Sequence, residues 1–179
     1  MSLANIRVHN IFLKSLVLNK LKSREIKEIC KLKNCEWKFG LISQYKWFKD
    51  NIKKNDIHNL LYLNSKLIGY TLLRKRTYKI KNLKKNLYYI LLDSLVIDKK
   101  HRNMKLSNLL MSFNNTIIKL SGFSSFLICS DELVSFYKKN NWIKLNNKDF
   151  TVMNFSFSSN GMIYNKKKSK KKIIYFINK

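Results

Sequence analysis

His101, Arg102 and Lys105 stand in a polar, strongly basic connection, Asp98 to Lys105, between two apolar segments. The segment before it, Leu91 to Ile97, is short, apolar and β-branched at its end, which predicts a buried strand. The segment after it carries Leu106, Leu109, Leu110, Phe113, Ile117 and Leu120 at helical spacing. A helix that opens on a short basic loop presents free backbone N–H groups and the positive end of its dipole. The chemistry expected of such a place is anion binding.

The run Ile97-Asp98-Lys99-Lys100-His101-Arg102-Asn103-Met104-Lys105-Leu106-Ser107, followed by Leu109-Leu110, resembles the acyl-CoA loop of the GNAT N-acetyltransferase superfamily. That loop reads Val-x-Pro-x-x-Arg-Gly-x-Gly-x-Gly/Ala and then opens a helix. Arg102 matches the leading Arg, whereas Asn103, Lys105 and Ser107 stand where the family usually has small residues, mostly Gly. A second stretch, Ser135-Phe136-Tyr137-Lys138-Lys139-Asn140-Asn141-Trp142, resembles the family's Phe-Tyr-x-x-x-Gly-Phe segment. The two motifs keep the family's order and approximate spacing, and the resemblance spans roughly residues 56 to 155.

The resemblance implies an α/β fold with a mixed, mostly antiparallel central sheet, a βαβ cofactor unit and flanking helices. It implies acetyl-CoA as co-substrate. The backbone of Leu95, Val96 and Ile97 would pair with the pantetheine arm and polarise the thioester carbonyl. N–H groups from Arg102, Asn103, Met104, Lys105, Leu106 and Ser107 would hold the pyrophosphate. Tyr137 falls on the family's general acid, and a phenol with a pKa of about 10 is protonated at neutral pH. Ser130 stands where the family often places an Asn near the cofactor. Asp93 precedes the cofactor strand positions by two residues, with side-chain parity toward Leu95 and Ile97. It would bind an ammonium and accept its proton through water, or else be a polar residue at a sheet opening. A side chain at Lys105 would either crowd the pyrophosphate or bend away and add a phosphate contact.

Those groups need elements to position them. A first strand is expected within residues 1 to 20, at Ile11 to Leu18. Ser23-Arg24-Glu25-Ile26 reads as an N-cap pattern opening a helix over 24–32, and Ser43 as the cap of a second helix over 44–53. Trp37, Tyr45, Trp47 and Phe48 serve either as an acceptor-binding wall or as packing of these helices on the sheet. His58 lies just ahead of a strand at Leu60 to Leu63, where a lone histidine is more often structural or exposed than catalytic. Asn64-Ser65-Lys66 is turn chemistry, and Leu67 to Tyr78 is the next strand, with Gly69 allowing a close approach or a bulge. A basic turn, Lys79 to Lys85, leads into Asn86 to Ile97.

The helix over 105–121 should stop at Gly122, and Phe123 to Cys129 should run parallel to the preceding strand. Ser130 with Asp131 and Glu132 opens a last helix, ended by Asn140-Asn141 in place of the family's Gly. Trp142 to Leu145 and Phe150 to Phe157 are expected to close the sheet as a hairpin. The domain is drawn as residues 1–160. Residues 161–179, with Lys166 to Lys172, form a basic extension: a hairpin with a long turn or an arm.

A length of 179 residues suits one domain with a sizeable core, and 45% hydrophobic residues with 13% aromatics exclude a disordered chain. No apolar run approaches the roughly 20 residues of a transmembrane helix. Cys30, Cys35 and Cys129 follow no zinc pattern and are expected as buried free thiols in a reducing, cytoplasmic setting; no metal site is expected. The formal net charge of +27 suits polyanionic partners. Nearly all of the excess is Lys, accompanied by abundant Asn and Ile and no Pro, the composition of an A/T-rich coding sequence.

The expected activity is acetyl transfer from acetyl-CoA to a primary amine, with the aromatic helices favouring a small or sugar-like acceptor. The rivals are a basic RNA-binding module using the lysines at 79–85 and 166–172, and a non-catalytic acetyltransferase-like subunit. No aromatic RNA-recognition signature supports the former. Monomer and homodimer are both open.

Overall fold

The structure is a computed structural model that describes residues 10–80, 85–153, 159–166 and 171–177. Parts of four expectations lie outside these residues: 1–9 of the first segment, 81–84 of the basic turn, 154–157 of the last strand and 167–170 of the lysine run. Strand β1 (Ile11–Val17) precedes two helices, α1 (Ser23–Glu36) and α2 (Leu41–Asn51). A meander follows, of β2 (Ile57–Leu63), β3 (Lys66–Ile80) and β4 (Leu87–Ile97). Next come α3 (Leu106–Leu120), β5 (Ser125–Cys129) and α4 (Asp131–Lys139), then β6 (Ile143–Lys144), β7 (Phe150–Val152), β8 (Asn160–Tyr164) and β9 (Ile173–Phe176). The expected α/β fold, with a mostly antiparallel sheet and a β4–α3–β5 unit, is the one observed.

Local sequence explains the starts of the first two helices, each a little earlier than expected. The Glu25 carboxylate accepts the Lys22 N–H at 2.8 Å, so Lys22 rather than Ser23 caps α1. For α2 the entry is Gly40 at φ +88°, a left-handed conformation open to glycine, three residues ahead of Ser43. In α3 the buried face runs through Leu106, Leu110, Met111, Asn114, Asn115 and Ile118, while Leu109 and Leu120 are exposed. The apolar stripe read from sequence is therefore rotated by part of a turn. The reason is that Asn114 and Asn115 are satisfied inside. Asn59 Nδ2 and Thr71 Oγ1 donate to Asn114 Oδ1 at 2.6 and 2.8 Å, and Trp142 Nε1 donates to Asn115 Oδ1 at 3.0 Å.

The sheet runs β1-β2-β3-β4-β5-β8-β6, with β9 beside β3 and β7 beside β9. The expected hairpin of 142–145 with 150–157 does not form: β6 pairs with β8, and β7 with β9. The 161–179 segment is not an extension beyond the sheet either. Its strand β8 sits between β5 and β6, and β9 continues the edge of β3 at Thr77 to Ile80, beyond the reach of β2. The two strands flanking the lysines pair with other partners instead of with each other.

Helices α1 and α2 bury Ile29, Cys30, Leu32 and Phe48 on Leu60, Tyr70, Leu72 and Val96. On the opposite face α3 and α4 pack Met111, Ile118 and Tyr137 on Leu73, Ile90 and Leu92. A third cluster joins β9 to the sheet, where the Tyr175 ring stacks on Phe126 with centroids 3.8 Å apart. Gly69 lies so close to Ile97 that an added Cβ would stand 2.8 Å from its Cδ1, and β2–β3 shifts register there. Two of the thiols, Cys30 and Cys129, are buried; Cys35 is exposed, against expectation. No helix among the described residues is long and apolar enough to cross a membrane.

Buried within β2 rather than ahead of it, His58 shares a 2.9 Å hydrogen bond between Nδ1 and the Tyr70 hydroxyl. Burial pulls its pKa down from 6.5 to about 4, the imidazolium being poorly solvated there. A folded value below the unfolded one means that stability is complete above pH 6.5 and is lost as pH falls toward 4. The full loss is about 3 kcal/mol. Thermal melts between pH 7 and 4 should show a fall in Tm that His58→Gln flattens over this window; an identical fall in the variant would assign the acid sensitivity elsewhere.

Candidate active site

β4 and β5 pair in parallel only at Ile90 with Ser125 and Leu91 with Phe126, and beyond Leu91 they diverge. One cause lies within β4. Opposite Tyr70 to Leu72 it fits three steps against two, a bulge centred on Ser94 at φ +60°. The extra residue changes the parity of the strand. Leu92, Leu95 and Ile97 face α3 and α4, whereas Asp93 pairs with Leu72, and Val96 with Tyr70, on the α1–α2 side. Asp93 is therefore on the opposite face from Leu95 and Ile97, contrary to simple alternation.

The divergence opens a central cavity of about 520 Å³, bordered by Asp93, Ser94 and Leu95 of β4, by Cys129 and Ser130, and by Trp37, Trp47 and Tyr137. A loop cavity of about 330 Å³ continues from it, bordered by Leu95, Val96, Ile97, Arg102, Asn103, Leu106, Ser107 and Glu36. Leu95, Leu133 and Tyr137 belong to both, so they mark the passage between them. Most residues that the sequence singled out thus meet around one continuous opening. Met104 and Lys105 are exposed and border neither cavity.

The loop keeps the backbone conformation that glycines would give it. Asn103 and Lys105 have φ of +66° and +56°, and Lys105 caps α3 in the left-handed region. Its side chain is exposed and does not border the loop cavity. Arg102 is less free than its place in the motif suggests. Its guanidinium pairs with Glu36 at the end of α1, and its Nε donates to the Ile97 carbonyl at 3.4 Å.

Tyr137, on α4, is 5% exposed, and no described residue hydrogen-bonds its hydroxyl. Burial, with a smaller contribution from Cys129, pushes the phenol well above its ordinary pKa. It stays protonated at every physiological pH. The Asp93 carboxylate takes the Arg74 Nη1–H at 3.0 Å on one oxygen and the Ser94 hydroxyl at 3.0 Å on the other. Arg74 in turn lies 3.5 Å from Asp56 and donates to the Asn51 carbonyl at 2.8 Å.

The aromatic cluster divides. Phe48 is core, Tyr45 is 38% exposed, and Trp37 and Trp47 border the central cavity and a third one of about 540 Å³ between α1 and α2. Sequence reasoning missed Lys33 in that third cavity. It sits on the buried stripe of α1 with Ile26, Ile29, Cys30 and Trp37, and a lysine at such a position was the available signal. Its ammonium lies 3.5 Å from the centroid of the Trp47 ring. Ser94, Arg74 and Glu36 were also missed, and local sequence carried no signal for them.

This architecture is similar to that of several solved structures. Escherichia coli ElaA superposes with a TM-score of 0.65 at 15% identity, covering 86% of this chain and 99% of that one. The GNAT family N-acetyltransferase YhbS from Escherichia coli, solved with CoA, has a TM-score of 0.64 at 11% identity over 88% and 82%. The PaiA N-acetyltransferase from Thermoplasma acidophilum, solved with coenzyme A, has 0.57 at 17% identity over 86% and 98%. No protein-family model matches the sequence, and no curated protein matches it either. The likeness is one of fold: the chain has the fold of the GNAT acetyltransferases.

A lysine held left-handed costs about 1–2 kcal/mol relative to an unstrained residue. The greater unfolded-state freedom of glycine offsets about 0.4–1 kcal/mol of this, so Lys105→Gly should raise Tm by roughly 2–4 °C, while Lys105→Ala, which keeps the strain, should not. Equal Tm values for the glycine and alanine variants would show the loop to be unstrained.

Proposed function

We propose that this chain is an acyl-CoA-dependent N-acyltransferase that moves an acetyl group from acetyl-CoA to the primary amine of a small acceptor. The observation that carries the reading is the divergence of β4 from β5, which joins a groove beside the α3 N-terminus to an aromatic-walled cavity through Tyr137. The CoA-bound fold relatives YhbS and PaiA support the choice of co-substrate. The residues present fit the cofactor: the loop borders an open cavity, the first-turn N–H groups of α3 have no side-chain cap among the described residues, and two loop residues adopt the glycine-like conformation.

In this reading the backbone of Leu95, Val96 and Ile97 aligns the pantetheine arm, and the first turn of α3 with Arg102 receives the pyrophosphate. Asp93 holds the acceptor ammonium and passes its proton to water. The neutral amine attacks the thioester carbonyl; the C–N bond forms, the C–S bond breaks, Tyr137 gives its proton to the leaving thiolate, and the proton that the nitrogen sheds on becoming an amide restores the phenol through water. Ser130 borders the thioester passage. Glu36 opposes the pyrophosphate, because its carboxylate occupies Arg102 and faces the same groove.

Calorimetry at moderate salt, with ADP as control, tests the cofactor assignment; the control is needed because so basic a chain attracts any polyphosphate. Acetyl-CoA should bind saturably and more tightly than ADP. Arg102→Ala should weaken it, and Glu36→Gln should strengthen it by about fivefold, the size of a partly exposed ion pair. Affinity no better than that for ADP, or indifference to both substitutions, would remove the enzyme reading in favour of an RNA-binding or partner-subunit role.

Tyr137→Phe tests the acid. Release of the CoA thiol should slow by about 100-fold or more in kcat, with acetyl-CoA affinity kept. An unchanged kcat would exclude Tyr137 as proton donor.

A further inference from the structure

Lys33 is 5% exposed, yet it forms no ion pair or hydrogen bond with any described residue. Its ammonium is set against the face of Trp47 at 3.5 Å, with Trp37 at 5.9 Å, and borders the cavity between α1 and α2. An ammonium in that position retains N–H donors that the protein does not use, and a buried unpaired charge is costly. The surroundings make the cost visible: burial draws its pKa from 10.5 to about 8, against the opposing pull of Asp93 and Cys30 and with the help of Arg74. Arg74 also borders the central cavity and keeps its Nε without a hydrogen bond to any described residue, but its charge is already balanced by Asp56 and Asp93 and its Nη2 donates to the Asn51 carbonyl, which makes it the weaker anion receptor.

Asp93 and Ser94 border the same cavity as Lys33, and they also border the central cavity where the thioester passage lies. The two cavities share Trp37, Trp47, Asp93 and Ser94, so a carboxylate and a cation without an ion pair to any described residue border the same indole-walled space. Such a space matches a zwitterion. Of the two cations that border these cavities, Arg74 and Lys33, only Lys33 has no ion pair with a described residue, and one positive charge balances one negative charge, which suits a carboxylate better than a doubly charged phosphate.

Resting on the acyltransferase reading, we propose that the acceptor is an amine that also bears a carboxylate, an amino acid in chemical class, whose carboxylate pairs with Lys33 while its amine is held at Asp93. The aromatic walls of Trp37 and Trp47 then cover the body of the molecule. Acetylation removes the charge on nitrogen and leaves the carboxylate, so the product keeps its contact with Lys33 and loses the one with Asp93.

The test uses matched pairs that differ by the carboxylate: L-lysine and cadaverine, L-phenylalanine and phenethylamine, 4-aminobutyrate and butylamine. Glucosamine 6-phosphate and glucosamine form a phosphate pair. Thiol release from acetyl-CoA should favour the carboxylate member of at least one amino-acid pair by about tenfold or more in kcat/KM. Lys33→Met, a neutral side chain of similar length, should bring that ratio to about one, and Lys33→Arg should restore part of it. A ratio near one in the parent protein, a ratio unchanged by Lys33→Met, or a strongest response to glucosamine 6-phosphate would overturn the proposal. Should no amine be acetylated, the acyltransferase reading fails, and tryptophan fluorescence of the full chain without acetyl-CoA decides this one separately. A saturable response to the amino acids that Lys33→Met abolishes upholds an amino-carboxylate site; no response to any carboxylate overturns it.

Discussion

Two carboxylates and two guanidiniums, almost all without access to water, hold the sheet in the shape that makes a site. Arg76, 1% exposed, donates to both oxygens of Asp56 at 3.0 and 3.2 Å and through Nε to the Ile177 carbonyl. Arg74 bridges Asp56 to Asp93 and reaches the end of α2 at Asn51. The beginning of β2, the middle of β3, the bulge of β4, the end of α2 and the stretch after β9 are thus tied to one charge-neutral cluster. Buried ions of this kind contribute little net stability, since desolvation offsets attraction. What they enforce is position: none of these elements can shift without stranding a charge.

The site is built where that rigidity ends. Past Leu91, β4 has no β5 partner, and the residue that breaks its alternation, Ser94, is hydrogen-bonded to the carboxylate that the cluster anchors. Asp93 is consequently both the last member of a structural network and the first group facing the cavity. Tyr137 is brought to the same opening from the other face by α4, whose end is shaped by Asn141 at φ +67° and by the Trp142 N–H returning to the Tyr137 carbonyl at 3.0 Å. Tyr137 and Asp93 approach from opposite sides of the sheet, which in the proposed reaction leaves the acyl group between them.

Much of this was legible in the chain. The 2–3–4 meander, the helix after the basic loop and the parallel return follow from turn residues, periodicity and the two motifs, because those signals are local. The C-terminal strands were not legible for a definite reason. A lysine run between Met162-Ile163-Tyr164 and Ile173-Ile174-Tyr175-Phe176 resembles the turn of a hairpin, and nothing local shows that each flank completes a different, distant edge. The buried face of α3 was misplaced for a related reason: Asn114 and Asn115 are polar by type and interior by virtue of partners contributed by β2, β3 and Trp142.

By itself, the sequence determined the class of fold, the basic loop that opens a helix and the tyrosine on the last helix, since each depends on residues adjacent along the chain or at one element's period. Tertiary structure alone decided what each charge is for. It spent Arg74 and Arg76 on the sheet, tied Arg102 to Glu36, turned Asp93 to the face opposite Leu95, and left Lys33 without a counter-ion inside a cavity. Composition counts charges, whereas their free energies depend on burial and on the nearest partner, and both are set by residues far apart in sequence.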